Sequence, residues 1–223
     1  MYKMYTSYPY DSFYLNIFGK KFKKNNFALL YTIDKRRMIL INDRLQEFDL
    51  DAAIPKLSEQ RREKLSQYKN ESDRCASAAG YLLLCECLQR EYGIYEAPIM
   101  EYGEYGKPRI EGHDEIHFNI SHCRCAAICV VSDTTIGVDI ETIDRYTPRL
   151  AQYTMNDEEL QQIMQAENPA IEFTRLWTMK ESLLKMSGRG ITNNMKNVLA
   201  NSTAHFETTL SADERYIYTV CRP

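Results

Sequence analysis

The sequence predicts an α+β chain built as two pseudo-symmetric α+β halves, and three observations carry that prediction. Apolar residues alternate with polar ones over short stretches in both halves, the mark of half-buried strands. Each half also holds one long segment whose apolar residues recur at helical spacing. Hydrophobic residues make up 44% of the chain and charged residues 26%, a balance that supports a packed core and argues against wholesale disorder. No internal repeat is visible in the sequence. The division drawn from these features is an N-terminal extension of unassigned role over 1–26, a first half over 27–105 and a second half over 106–223.

Element by element, 27–33 (FALLYTI) and 37–42 (RMILIN) read as strands around a polar turn at 34–36. Ahead of them, Lys20, Lys21, Lys23 and Lys24 form a basic cluster that reads as a solvated extension. Ser58 is placed to cap a polar helix over 59–69 that carries Arg61, Arg62 and Lys64. Asn70 or Ser72 opens a longer helix in which Cys75, Ala78, Ala79, Leu82 and Leu83 recur at helical spacing, and Gly93 stops it. Arg74 lies in the first turn of that helix, where a cation opposes the helix dipole, so its placement favours a bound anion.

The second half opens at Tyr105-Gly106-Lys107-Pro108, a turn signal and candidate hinge. Ile116, Phe118 and Ile120 alternate with His117, Asn119 and Ser121, and 126–132 is a more continuous apolar run that suits a strand buried on both faces. Ile136, Val138 and Ile140 alternate with Gly137, Asp139 and Glu141 to give a third strand. A helix is expected over 157–167, and Asn168-Pro169 opens another, a cap followed by proline at the first helical position. That helix runs through Phe173, Leu176, Trp177, Leu183 and Leu184 to Gly188, and a hairpin over 204–208 and 215–221 closes the chain.

Charge and cysteine usage narrow the function. The net charge of −3, from 28 basic and 31 acidic residues, excludes a globally basic nucleic-acid footprint. No apolar run approaches the roughly 18 residues of a membrane span, and 1–26 has no apolar core of a secretory signal. Seven cysteines, an odd number without a CxxC, read as reduced thiols of a cytoplasmic protein. The pairs Cys85/Cys87 and Cys123/Cys125 bring zinc to mind, but none of the four histidines falls at zinc-finger spacing.

Three segments carry chemistry. On a strand, residues two apart share a face, so Asp139 and Glu141 project together. Two such carboxylates repel unless a cation sits between them, and oxygen ligands suit Mg²⁺; an ordinary acidic edge is the alternative. Glu181 and Lys185 are four apart on one helix face, which fits a surface ion pair worth a few tenths of a kcal/mol. Yet the same helix also carries Lys180 and leads into the loop Ser187-Gly188-Arg189-Gly190, and this collection of charge and backbone amides suits a diphosphate. Finally, the strand containing Phe118 ends in Ser121 and His122, which brings a hydroxyl, an imidazole and backbone amides to one strand end. Cys123 and Cys125 beside His122 leave a Cys–His nucleophile as a weaker alternative.

Taken in order, Gly106-Lys107-Pro108, Phe118-Asn119-Ile120-Ser121-His122, Gly137-Val138-Asp139-Ile140-Glu141 and Trp177-Thr178-Met179-Lys180-Glu181-Ser182-Leu183-Leu184-Lys185 resemble the 4′-phosphopantetheinyl transferase superfamily, in its surfactin-synthetase-activating (Sfp) type. Each motif alone is weak, whereas four in order at compatible spacing are specific. The resemblance covers about 106–190, extends through 61–84, and loosens after Ile191. It implies transfer of phosphopantetheine from coenzyme A to a serine of an acyl or peptidyl carrier protein, with 3′,5′-ADP leaving. It implies one chain of two α+β halves, a monomer, with coenzyme A in the cleft between them. Carried over residue by residue, Asp139, Glu141 and Glu181 would hold Mg²⁺, and Glu181 would also take the serine proton. Lys185 would contact the pyrophosphate, and His122, beside Ser121, together with Arg74 would hold the 3′-phosphate. Lys107 and Pro108 would border the adenine and its ribose phosphates. The resemblance leaves open which of Arg61, Arg62 and Lys64 touches that phosphate, and whether the carrier serves fatty-acid, polyketide or nonribosomal-peptide synthesis. A nucleotide-binding regulator would have no use for three metal carboxylates, and no GxxxxGK[ST] run supports a P-loop enzyme.

Overall fold

The computed structural model describes residues 37–223 apart from 104, 189 and 191–193. The expected strand at 27–33, the 1–26 extension and Arg189 therefore lie outside the described residues. The apolar run at 37–42 forms β1 (Arg37–Asn42). A short α1 (Leu50–Ala53), capped by the Asp49 side chain, leads to α2 (Glu59–Ser66), where Ser58 accepts a hydrogen bond from Arg61 N. The long α3 (Glu71–Tyr92) starts at Asn70 and ends on Gly93, as the capping signals predict. Next come β2 (Met100–Tyr102) and β3 (Pro108–Ile110), then β4 (His117–His122), β5 (Ala127–Ser132) and β6 (Gly137–Thr142). Three helices follow: α4 (Pro148–Thr154), α5 (Asp157–Gln165), which has a full capping box at Asn156 and Glu159, and α6 (Pro169–Ser187). The hairpin β7 (His205–Leu210) and β8 (Tyr216–Arg222) completes an α+β fold.

Among the described residues the strands form two antiparallel three-stranded sheets, ordered β1-β5-β4 and β6-β8-β7, with β2 and β3 as a separate hairpin. The change of sheet thus falls between β5 and β6, not at 105–106. The turn expected there as a hinge is the connection of the β2–β3 hairpin. The first sheet takes its outer strands from both sides of that turn, because β1 needs β5 as its partner.

Strand parity explains the layers. On β1 and β5, Met38, Leu40, Cys129 and Val131 face α3, while Ile39, Ile41, Ile128 and Val130 face the second sheet. Val138 and Ile140 of β6 meet them with Tyr216, Tyr218 and Val220 of β8. Helix α6 covers the opposite face of β6 and β8. A satellite core of Ala151, Met155, Ile163, Phe173, Leu176 and Trp177 ties α4 and α5 to α6. The expected core positions Phe173, Leu176 and Trp177 are all buried. Among the described residues no helix is long and apolar enough to cross a membrane.

Candidate active site

The site is assembled where β6 lies under α6. Residues 137, 139 and 141 share the helix-facing side of the strand. At the first of them the helix touches the strand. A Cβ on Gly137 would stand 2.1 Å from the Ser182 carbonyl oxygen and 2.5 Å from Met186 N, so only glycine fits. This close approach brings Asp139 and Glu141 against Glu181 and Lys185, which the four-residue helical repeat places on the strand-facing side. Lys185 Nζ lies 2.6 Å from Asp139 Oδ1 and 2.7 Å from Ser121 Oγ, and Ser121 donates to the same Asp139 oxygen at 2.8 Å. Lys185 therefore pairs across elements with Asp139, unlike the helix-surface pair with Glu181 that spacing alone allows.

Asp139 is 3% exposed and Glu181 7%, and each keeps a buried oxygen without a hydrogen-bond partner, Oδ2 and Oε1 respectively. Burial, helped by repulsion from Asp139 and Glu181, raises the Glu141 carboxyl to about 7, although Arg145 forms an ion pair with it. Burial and Asp139 likewise raise Glu181. Among the described residues no group of three His, Cys, Asp or Glu side chains forms a ready metal cage. The orphaned oxygens and the mutual repulsion nevertheless fit a site that gains from a cation, and Mg²⁺ binds through one or two carboxylates plus waters and phosphate oxygens.

Strand β4 runs beside β6 without a backbone ladder. Its side chains replace one: Asn119 Oδ1 accepts from Val138 N at 3.0 Å, and Ser121 Oγ accepts from Ile140 N at 3.4 Å. The FNISH segment thus fixes the edge strand that carries Asp139. His122 is exposed at the strand end, and its imidazole is held below the usual value by desolvation and by Lys185, with Asp73, Arg61 and Asp139 also acting on it. Arg74 keeps a buried Nε without a partner on the first turn of α3. Lys107 crosses from the β2–β3 connection to donate to the Met186 carbonyl at 2.6 Å, and burial lowers its pKa. Its stem lies against Gly188, which ends α6 with φ of 70°. Pro108 is half-buried at the start of β3. Of the three basic residues on α2, Arg61 and Lys64 line an open cavity of about 290 Å³ with Tyr81 and Tyr102, whereas Arg62 is turned to the Leu57 carbonyl.

Two residues differ from their sequence reading or escape it. Lys180, grouped above with the diphosphate-binding charges, is fully buried on the far side of α6. Its Nζ is held by Glu159 Oε2 at 2.6 Å and by the Met195 and Thr154 carbonyls at 2.8 and 2.9 Å. Arg145, which no periodicity singles out, pairs with Glu141 and lies over the Trp177 ring at 4.5 Å.

Residues 135–221 match the 4′-phosphopantetheinyl transferase superfamily model, a span that contains β6, α6 and the second sheet. A 4′-phosphopantetheinyl transferase of Bacillus subtilis is 30% identical over 190 residues, covering 77% of this chain and 84% of that protein. The gsp 4′-phosphopantetheinyl transferase of Aneurinibacillus migulanus is 32% identical over 138 residues, 60% of this chain and 57% of its own length. The Sfp 4′-phosphopantetheinyl transferase of Bacillus subtilis strain 168 is 30% identical over 138 residues, 60% of this chain and 62% of its own. An acidic pair on a strand, clamped to a Glu/Lys helix in a chain with these relatives, defines a group-transfer enzyme. The chain belongs to the 4′-phosphopantetheinyl transferase superfamily, in its Sfp-type branch.

Proposed function

We propose that the protein moves the 4′-phosphopantetheine moiety of coenzyme A onto a serine hydroxyl of an apo acyl or peptidyl carrier protein. The product 3′,5′-ADP leaves, and the reaction depends on Mg²⁺. The observation that carries this reading is the convergence of Asp139 and Glu141 from β6 with Glu181 and Lys185 from α6 around two unpartnered carboxylate oxygens. In this reading the two sheets, each with one long helix, are the pseudo-symmetric halves of a cytoplasmic monomer, and coenzyme A lies between them.

Asp139, Glu141 and Glu181 are the residues that would hold Mg²⁺, which when bound neutralises pyrophosphate oxygens and the charge gathering on the leaving group. Glu181 has a free Oε1, and its raised pKa suits a base that takes the serine proton directly or through one water. Lys185 keeps a fixed positive charge beside the reacting phosphate, held in place by Ser121 and Asp139. His122 and Arg74 take the 3′-phosphate, with Ser121 fixing the end of β4. Lys107 and Pro108 border the nucleotide. Arg61 and Lys64, which line the cavity beside Tyr81 and Tyr102, are the candidates from α2 for the same anion.

The test is intact-mass analysis of purified apo carriers incubated with this protein, coenzyme A and Mg²⁺. A gain of one phosphopantetheine at the carrier serine is expected, and Glu181→Gln should lower the single-turnover rate by orders of magnitude while leaving the melting temperature nearly unchanged. No gain across carriers of fatty-acid, polyketide and nonribosomal-peptide type overturns the enzyme reading. Wild-type rates in Glu181→Gln overturn the role of that residue.

A further inference from the structure

The connection between β4 and β5 carries two cysteines for which the transfer reaction has no use. Cys123 and Cys125 flank Arg124 in a tight turn closed by a hydrogen bond from Cys123 N to the Ala126 carbonyl at 2.8 Å. A second bond at 3.4 Å, from Leu45 N to the Cys125 carbonyl, anchors the turn to the segment after β1. The two Sγ atoms lie 3.8 Å apart, within sulfur hydrogen-bonding range. Both cysteines are buried, 8% and 5% exposed, at the core between the two sheets, while the adjacent His122 and Arg124 are open to solvent.

The pair is electrostatically asymmetric. The hydrogen bond shared with Cys123 and the positive charge of Arg215 hold the Cys125 thiol below its usual value, against the desolvation of the site and an opposing Asp213. The same hydrogen bond, with burial, raises Cys123. Elsewhere burial pushes Cys85 and Cys221 up to about 12 and raises Cys75 and Cys129. A thiolate-forming sulfur thus sits in contact with a protonated one, the arrangement of an attacking and a resolving thiol.

We propose that Cys123 and Cys125 are a reversible dithiol–disulfide modification site whose oxidant is a small-molecule disulfide. The Cys125 thiolate attacks one sulfur of that disulfide; its S–S bond breaks and one small thiolate leaves, taking up a proton. Cys123 then gives up its proton and attacks the Cys125 sulfur of the mixed disulfide, expelling the second small thiol. The protein loses two hydrogens, and the small disulfide is reduced to two thiols. The sulfurs must close from 3.8 Å to about 2.05 Å, a movement confined to the four-residue turn.

The folded full-length protein is exposed to excess oxidised glutathione at neutral pH, quenched in acid, alkylated after unfolding and digested with trypsin without reduction. The expected result is that cleavage after Arg124 leaves two peptides joined through sulfur, with Cys123 and Cys125 both unalkylated. Reduction by dithiothreitol should release them, and Cys75, Cys85 and Cys221 should carry only alkyl groups. Cys123→Ser should stop at a persistent glutathione adduct on Cys125. Cys125→Ser, which lacks the partner sulfur, should give no joined peptides. Wild-type protein decides the matter even if a variant fails to fold. A persistent adduct on wild-type Cys125, or full alkylation of both thiols after exposure, overturns the proposal.

Discussion

Gly137→Ala separates the role of spacing from the role of any ligand-touching group. The added Cβ would stand 2.1 Å from the Ser182 carbonyl oxygen and 2.9 Å from Met186 Cα. Both neighbours are helix backbone, so no rotamer change relieves the overlap. Ordinary van der Waals contact begins at 3.4 Å, so β6 and α6 must part by about 1.3 Å in a core packed as tightly as a crystal. Overpacking of this kind costs about 1–3 kcal/mol, which for a chain of this size lowers the melting temperature by about 2–12 °C. The larger effect is on the reaction. Asp139 and Glu141 move with the strand while Glu181 and Lys185 stay with the helix, and a misplacement of about 1 Å slows a positioned reaction by about a hundredfold. The assay is single-turnover transfer at saturating coenzyme A, at a temperature where a melt shows the variant fully folded. A destabilised variant that retains transfer within about twofold refutes spacing as the positioning device. An unchanged melt refutes the close approach itself.

Lys180→Met should be severely destabilising, by about 3–5 kcal/mol, because it strands the Glu159 carboxylate and two carbonyls in the interior; a denaturant midpoint shift worth under about 1 kcal/mol contradicts that, and adding Glu159→Gln should recover part of the loss. The Glu141 carboxyl is raised from 4.5 to about 7 in the fold, so the folded protein keeps a proton that the unfolded chain loses first. Without divalent cations, stability should therefore fall as pH rises through that window, by up to about 3 kcal/mol, and level off above it. Glu141→Gln should make that fall clearly smaller, leaving the part due to Glu181, and parallel melting curves for the two proteins between pH 5 and 8 would refute the assignment.

Much of the fold is legible because its elements announce their ends. Asn70 and Gly93 bound α3, and Asn168-Pro169 and Gly188 bound α6, with residues whose backbone chemistry suits one position in a helix. Ala127–Ser132 reads as doubly buried because no polar residue interrupts its run, and both of its faces are covered. Helix α4 has a threonine cap and a proline at its start, but it spans only seven residues and lacks a periodic stripe long enough to see. Sheet membership is not legible either: nothing local in 37–42 says that its partner is 127–132. In the site, strand parity brings Asp139 and Glu141 together, and the helical repeat does the same for Glu181 and Lys185. Spacing cannot say which lysine of the helix faces the strand. Lys180 and Lys185 are told apart only by the Glu159 carboxylate on one side and Asp139 on the other. Asn119 is invisible as a linker because its partner is a backbone N–H of another sheet.

The pairing of β1 with β5 has a consequence for the order in which the chain assembles. As it leaves the ribosome, β1 is followed by the whole of α3 and the β2–β3 hairpin before its partner strand exists. Until Ser132 has emerged, β1 lacks the strand it pairs with among the described residues, and the apolar stripe of α3 has no completed sheet to cover it, a long-range pairing that favours slow folding and aggregation. Residues 137–222, by contrast, contain every strand of the second sheet together with α6. The early-made sheet is thus the one whose completion waits on later sequence, and a fragment ending at 105 lacks both strands that complete it.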